Sequence, residues 1–183
     1  HSISTHTLAL LFNKAPFERL GLCFWPKESG DNYAMPKAKL QAATVGGSAH
    51  DVEAQFYEAL QTGDLEKLMA CWADEDDIVC VHPGGPRLVG NAQIRAAFET
   101  MFTNGTISAT PERVCKVDSL TSAMHNVIER ISIQTPEGMQ YALVVATNVY
   151  QRTPQGWRMV AHHASPGTSA AHAEAQETPQ VLH

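Results

Sequence analysis

From Ser48 onward the apolar positions fall at helical spacing, with Val52, Phe56, Tyr57 and Leu60 on one stripe, Ser48 placed to cap a helix and Gly63 to stop it. Asp64 restarts a second helix through Leu65, Leu68, Met69 and Trp72. The apolar run 78–82 then reads as a strand, ended by Pro83-Gly84-Gly85-Pro86. Asn91 is placed to cap a third helix whose stripe is Ile94, Ala97, Phe98, Met101 and Phe102. After Asn104-Gly105 the period changes to two, and four strand-like runs follow at about 107–117, 123–134, 140–151 and 157–164. Pro136-Glu137-Gly138 and Pro154-Gln155-Gly156 supply the turn chemistry that joins neighbouring runs as hairpins.

Helices first and a meander of long strands afterwards predict an α+β domain in which a strongly curved antiparallel sheet wraps three N-terminal helices into a cone that leaves a pocket. The strands carry apolar residues on both faces: Val127, Ile131 and Ile133 on one side of their strand, Ile128 on the other. A bare second apolar face predicts a homodimer packed through the sheet.

Residues 1–47 lack sustained periodicity and read as a poorly structured extension. The chain begins at His1, and Met35 opens a polar leader, MPKAKLQAATVGGSAH, that would suit a natural start. The other reading is an arm that docks Phe17, Phe24 and Trp25 on the domain. The domain itself is expected over residues 48–167, and 168–183, rich in Ala, Gln, Glu and Thr, read as a flexible tail. A length of 183 residues with 44% hydrophobic content fits one such core. The formal charge of -6 comes without a Lys/Arg cluster, which argues against nucleic acid as a partner. The apolar run 8–12 is too short to span a bilayer, so no membrane partner is expected. Cys23, Cys71, Cys80 and Cys115 are scattered without a CxxC pair, which suits reduced thiols in a cytoplasmic setting.

Three motifs carry a family resemblance: ALQTGDLEKLMACW in the first helical hairpin, VHPGGPRLVGNAQIRAAF from first strand to third helix, and TNVYQRTPQGWRMVAHHASP at the end. Residues 52–166 resemble the SnoaL-like branch of the nuclear transport factor 2-like superfamily, which includes ketosteroid isomerases, polyketide cyclases and the kinase II association domain. The resemblance implies one pocketed scaffold shared by several unrelated activities. In the isomerases a catalytic Asp precedes a proline in the first strand, and the matching residue here is His82 before Pro83. His82 is thus the candidate general base, since a neutral imidazole accepts a proton near cellular pH. The alternative is that it only fastens the Gly84-Gly85 turn. The isomerases' oxyanion tyrosine aligns with Phe56, with Tyr57 the adjacent hydroxyl, so steroid isomerisation lacks a main electrostatic contribution.

Polar residues on predicted strands need a partner, a water or a ligand. By the resemblance, Glu129 and Asn148 line the pocket; otherwise Glu129 pairs with Arg130, Arg152 or Arg158 on the surface. His125 shares a strand face with Glu129. His162 and His163 must point to opposite faces of one strand. His163, alternating with Trp157 and Ser165, is the one expected in the pocket. Tyr57 and Trp72 complete the candidate ligand-binding set, although tryptophans more often serve a core. No metal or other cofactor is expected: His82, His125, His163 and Glu129 have no short-range ligand spacing, and no GxSxG is present. Two functions stay open. One is an isomerase, cyclase or hydratase-type enzyme acting on a small apolar or carbonyl-containing molecule; the other is a noncatalytic homodimeric association or binding module.

Overall fold

The computed structural model describes residues 47–135 and 138–168, so the readings made of the N-terminal extension and of the tail beyond Thr168 lie outside the described residues. The first helix, α1, runs Ala49–Thr62. Ser48 accepts the Asp51 N–H at 3.2 Å, and Gly63, at φ +69°, closes the other end in the left-handed conformation that glycine tolerates best. Asp64 caps α2, Leu65–Ala70, by accepting the Lys67 N–H at 2.9 Å. Two short strands follow, β1 at Val79–Val81 and β2 at Arg87–Val89, and then α3 at Gly90–Thr103.

Asn91 does not cap α3 as its position suggested. Val89 is the capping residue, without a side-chain bond, and the Asn91 amide instead donates to the Ala73 carbonyl at 2.9 Å, tying α3 to the end of the helical hairpin. Gly90 begins the helix at φ +79°, where a Cβ would stand 3.2 Å from the Asp76 carbonyl oxygen. Both constraints select glycine.

The four long strands are β3 (Ser108–Asp118), β4 (Ser122–Thr135), β5 (Gly138–Thr153) and β6 (Gly156–Pro166). They pair antiparallel in sequence order within a sheet ordered β2-β1-β6-β5-β4-β3, while β1 joins β6 in parallel, so the sheet is mixed. Helix α1 touches both β3 and β6, with two strands between them, which requires the sheet to curl around the helix. A register shift between Pro111 and Val114 in β3 adds to that curl. The α+β cone is thus the fold.

The core fills the cone. Phe56 from α1 meets Phe98 from α3 edge to face at 6.3 Å, and each ring is 1% exposed. Burying one such ring stabilises by about 2–3 kcal/mol. The opposing floor is built largely of small side chains: Ala109 on β3, Ala142 and Ala146 on β5, and Ala164 on β6 are all buried. Small residues facing two phenyl rings leave space between them. On the outer face, Ile128, Leu143 and Val145 form a separate apolar cluster, and Met124 and Tyr141 are exposed. No helix among the described residues is long and apolar enough to cross a membrane.

Candidate functional site

The space left by the alanine floor is a pocket walled by Phe56 and Leu60 of α1, Phe98 of α3 and Ile107, Ala109 and Ile131 of the sheet side. Three polar side chains enter this apolar wall: His82, Glu129 and His162. The cavity volume is about 20 Å³, room for about one water.

His82 follows β1, and the turn after it closes by the Gly85 N–H donating to the His82 carbonyl at 2.9 Å. Its ring stands edge-on to Phe98 at 5.0 Å, and its Nε2 lies 3.5 Å from Cys80 Sγ. Burial pushes its pKa down to about 4, so the ring is neutral near pH 7. His82 therefore both packs over the turn and reaches the pocket.

Glu129 is 5% exposed and turned inward, away from the surface pairing weighed for it; Arg130 binds Glu112 instead. The Tyr57 hydroxyl donates to Glu129 Oε1 at 2.7 Å. Burial pushes the Glu129 carboxyl up to about 7, the Tyr57 hydrogen bond acts in the opposite direction, and the Glu53 carboxylate pushes further up. Tyr57 is itself driven above the ordinary phenol range, chiefly by burial and then by the Glu129 charge.

The histidine of β6 that enters the pocket is His162, not His163, which is exposed on the opposite face. The reason is a bulge. Tyr150 pairs with Met159 but Val149 pairs with Ala161, so Val160 is an extra residue and the faces exchange across it. Alternation counted from Trp157 therefore fails at Val160. The bulge sits where β6 is stitched to the end of the helical hairpin, with the Ala73 N–H donating to the Met159 carbonyl at 2.9 Å and the Met159 N–H to the Cys71 carbonyl at 2.8 Å. His162 Nδ1 lies 2.7 Å from Asn148 Oδ1, an arrangement in which Nδ1–H donates and Nε2 is left as acceptor. Burial, reinforced by His82 and His163, holds its pKa down at about 3.

The remaining expected residues stand behind the pocket. Tyr57 supports Glu129, and Asn148 supports His162 from the next strand. Trp72 is core, paired with β6 opposite Met159. His125 belongs to a second buried group: its Nδ1 is 3.1 Å from Glu53 Oε1 and its Nε2 3.5 Å from Asp118 Oδ1. Glu53 went unremarked in the sequence, though a carboxylate at 53 one helical turn before Tyr57 sits on the buried stripe. No group of three or more His, Cys, Asp or Glu side chains among the described residues is arranged to hold a metal ion.

The sequence profile of the SnoaL-like domain matches residues 50–169, nearly the whole described region. The chain belongs to the SnoaL-like family. Among solved structures, this SnoaL-like protein is similar to a putative calcium/calmodulin-dependent protein kinase type II association domain from Thiobacillus denitrificans. The two are 33% identical with a TM-score of 0.60, over 66% of this chain and 96% of that one. It is also similar to a putative dehydratase of the nuclear transport factor 2-like family from Streptomyces avermitilis, 32% identical with a TM-score of 0.59, over 64% of this chain and 93% of that one. A nuclear transport factor 2-like protein with a cystatin-like fold from Novosphingobium aromaticivorans, 19% identical at a TM-score of 0.56 over 69% of this chain and 86% of that one, shares the fold. No curated protein matches the sequence significantly.

Proposed function

We propose that this SnoaL-like protein binds a small, neutral, mostly apolar molecule carrying a carbonyl or hydroxyl group and transfers a proton on it, in an isomerase, cyclase or hydratase-type reaction. The observation that carries this reading is the Tyr57–Glu129 pair, 2.7 Å long, at the apolar pocket, with the Glu129 carboxyl poised at about 7. A proton-transfer group works best near ambient pH, so the base role expected of His82, at about 4, passes to Glu129. His82 and His162, both neutral, orient the substrate oxygen by hydrogen bonds. Among the described residues the lining holds no cation to neutralise an anionic ligand, which favours an uncharged substrate. A molecule larger than water enters only as Phe56, Leu60 and Phe98 give way.

The test is deuterium incorporation from D₂O into a panel of cyclic ketones and enones, read by mass spectrometry. The wild type exchanges α-protons of at least one member, and Glu129→Gln slows that exchange on the order of 10²-fold or more. No exchange by the wild type, together with a Glu129 carboxyl that titrates in the ordinary range, overturns the reading.

A second reading, a noncatalytic homodimeric association module, is favoured by the outer sheet face, where Ile128, Leu143 and Val145 cluster beside exposed Tyr141, and by the name of the Thiobacillus relative. Pairing through this face suits both readings. Native mass spectra of the wild type and His82→Ala separate them: a co-purified small molecule lost in the variant supports the pocket, and an empty dimer in both supports the module.

A further inference from the structure

The pocket chemistry leaves unused a second set of buried ionisable groups. Glu53 is 3% exposed and His125 1% exposed, and neither lines the pocket. They form a short series. The Asp118 side chain is 64% exposed and lies 3.5 Å from His125 Nε2, and His125 Nδ1 lies 3.1 Å from Glu53 Oε1. Glu53 in turn stands one turn of α1 before Tyr57, whose hydroxyl is on Glu129. The Tyr150 ring lies 4.9 Å from the His125 ring. Glu53 Oε1 and His125 Nδ1, although in contact, are both buried without an aligned hydrogen bond among the described residues. Buried polar atoms left in that condition are typically bridged by internal water.

We infer that Asp118, His125 and Glu53, with one bridging water beside Tyr150, form the path by which the proton on Glu129 exchanges with solvent when a ligand fills the pocket. The inference rests on the acid–base reading of Glu129. The transfer balances as a concerted shift. The Glu129 proton passes to Tyr57 Oη as the Tyr57 proton passes to the water, which hands one on to Glu53. Glu53 gives a proton to His125 Nδ1, and Nε2–H releases one to Asp118 and so to bulk water. Each group between Glu129 and solvent gains one proton and loses one, so none of them is left with a changed charge. The other titratable groups facing the series are few. His50 Nδ1 is 3.8 Å from Glu53 Oε2 and 3.3 Å from Lys116 Nζ, both at the exposed edge. His125, Glu53 and Asp118 are positioning residues in this scheme, since none of the three lines the pocket.

The experiment is carbon-13 NMR of the Glu129 carboxyl in the full chain labelled at glutamate, followed through its titration with and without 2-cyclohexenone as the pocket-filling probe. In the wild type the protonated and ionised forms exchange fast enough to give one averaged signal. In His125→Gln, which keeps a hydrogen-bonding side chain of similar size, exchange slows on the order of 10²-fold and the two forms separate, with the midpoint little changed. Asp118→Asn lies at the exposed end and does not depend on repacking the core; it slows exchange in the same direction. Equal exchange in wild type and both variants, with the midpoint near 7, overturns the path while leaving the role of Glu129 intact. A Glu129 midpoint in the ordinary carboxylate range overturns the acid–base reading, and the path with it.

Discussion

The buried carboxyl to which the proton-transfer role is proposed also costs the fold stability once it ionises, and Glu129→Gln measures by how much. Glu129 is raised from 4.5 to about 7, so the folded state holds its proton more tightly than the unfolded chain does. A folded state that binds more protons loses stability as pH rises, so the loss begins near 4.5 and is complete just above 7. The full difference is about 3 kcal/mol, a sizeable part of the stability of a domain this size. The amide that replaces the carboxyl in Glu129→Gln still accepts from Tyr57, does not ionise, and so escapes the loss. The two neutral histidines act in the opposite sense. Burial lowers His82 to about 4 and His162 to about 3 from 6.5, so their contribution is complete above 6.5 and is lost as pH falls toward those values. Both proteins carry them, and they cancel in the difference. Urea unfolding of wild type and Glu129→Gln at pH 5, 6, 7 and 8 reads that difference directly. It moves by about 2.5 kcal/mol in favour of the variant between pH 5 and 8, roughly 1–2.5 M in midpoint for ordinary urea slopes. A difference that stays flat with pH shows that Glu129 ionises as an ordinary surface carboxylate, and refutes the reasoning.

The same geometry fixes three further outcomes. Ala164→Leu fills the pocket floor at a cost of about 1–3 kcal/mol, abolishing deuterium exchange in the ketone panel while the oligomer mass in a native spectrum stays the same. Val145→Glu places a charge in the outer apolar cluster; light scattering after size exclusion then shows half the mass of the wild type, with the far-ultraviolet circular dichroism unchanged. Iodoacetamide labels Cys115, which is exposed, ahead of Cys71, which burial pushes up to about 12, and of Cys80, also buried and raised; peptide mapping reads the order.

The elements were legible in the sequence because their signals are local. Ser48, Gly63 and Asp64 mark helix ends in the sequence and do so in the structure, and the four long strands lie within about two residues of the period-two runs. What was not legible depends on partners far along the chain. The short strand β2 hides inside the stretch after the Pro83–Pro86 turn because it pairs only with three-residue β1. The parallel join of β1 to β6 has no local trace. His82 could be singled out by the resemblance of its position before Pro83, and Glu129 as a polar group among apolar neighbours, and both reach the pocket. The choice between His162 and His163 turned on a bulge fixed by the helical hairpin more than eighty residues away, which no count along β6 contains. Glu53 escaped notice because a single carboxylate in a helix reads as a solvated position until His125 arrives from β4 to meet it.

The extra residue at Val160 gives the adjacent histidines a meaning beyond strand geometry. A one-residue slip of this end of β6 against β5 would bring His163 opposite Asn148, the place now held by His162, and the pocket would keep an imidazole. The doubled histidine thus makes this wall tolerant of a slip in register. A slip in that direction, which elsewhere would replace an inward group by one of quite different character, here substitutes like for like.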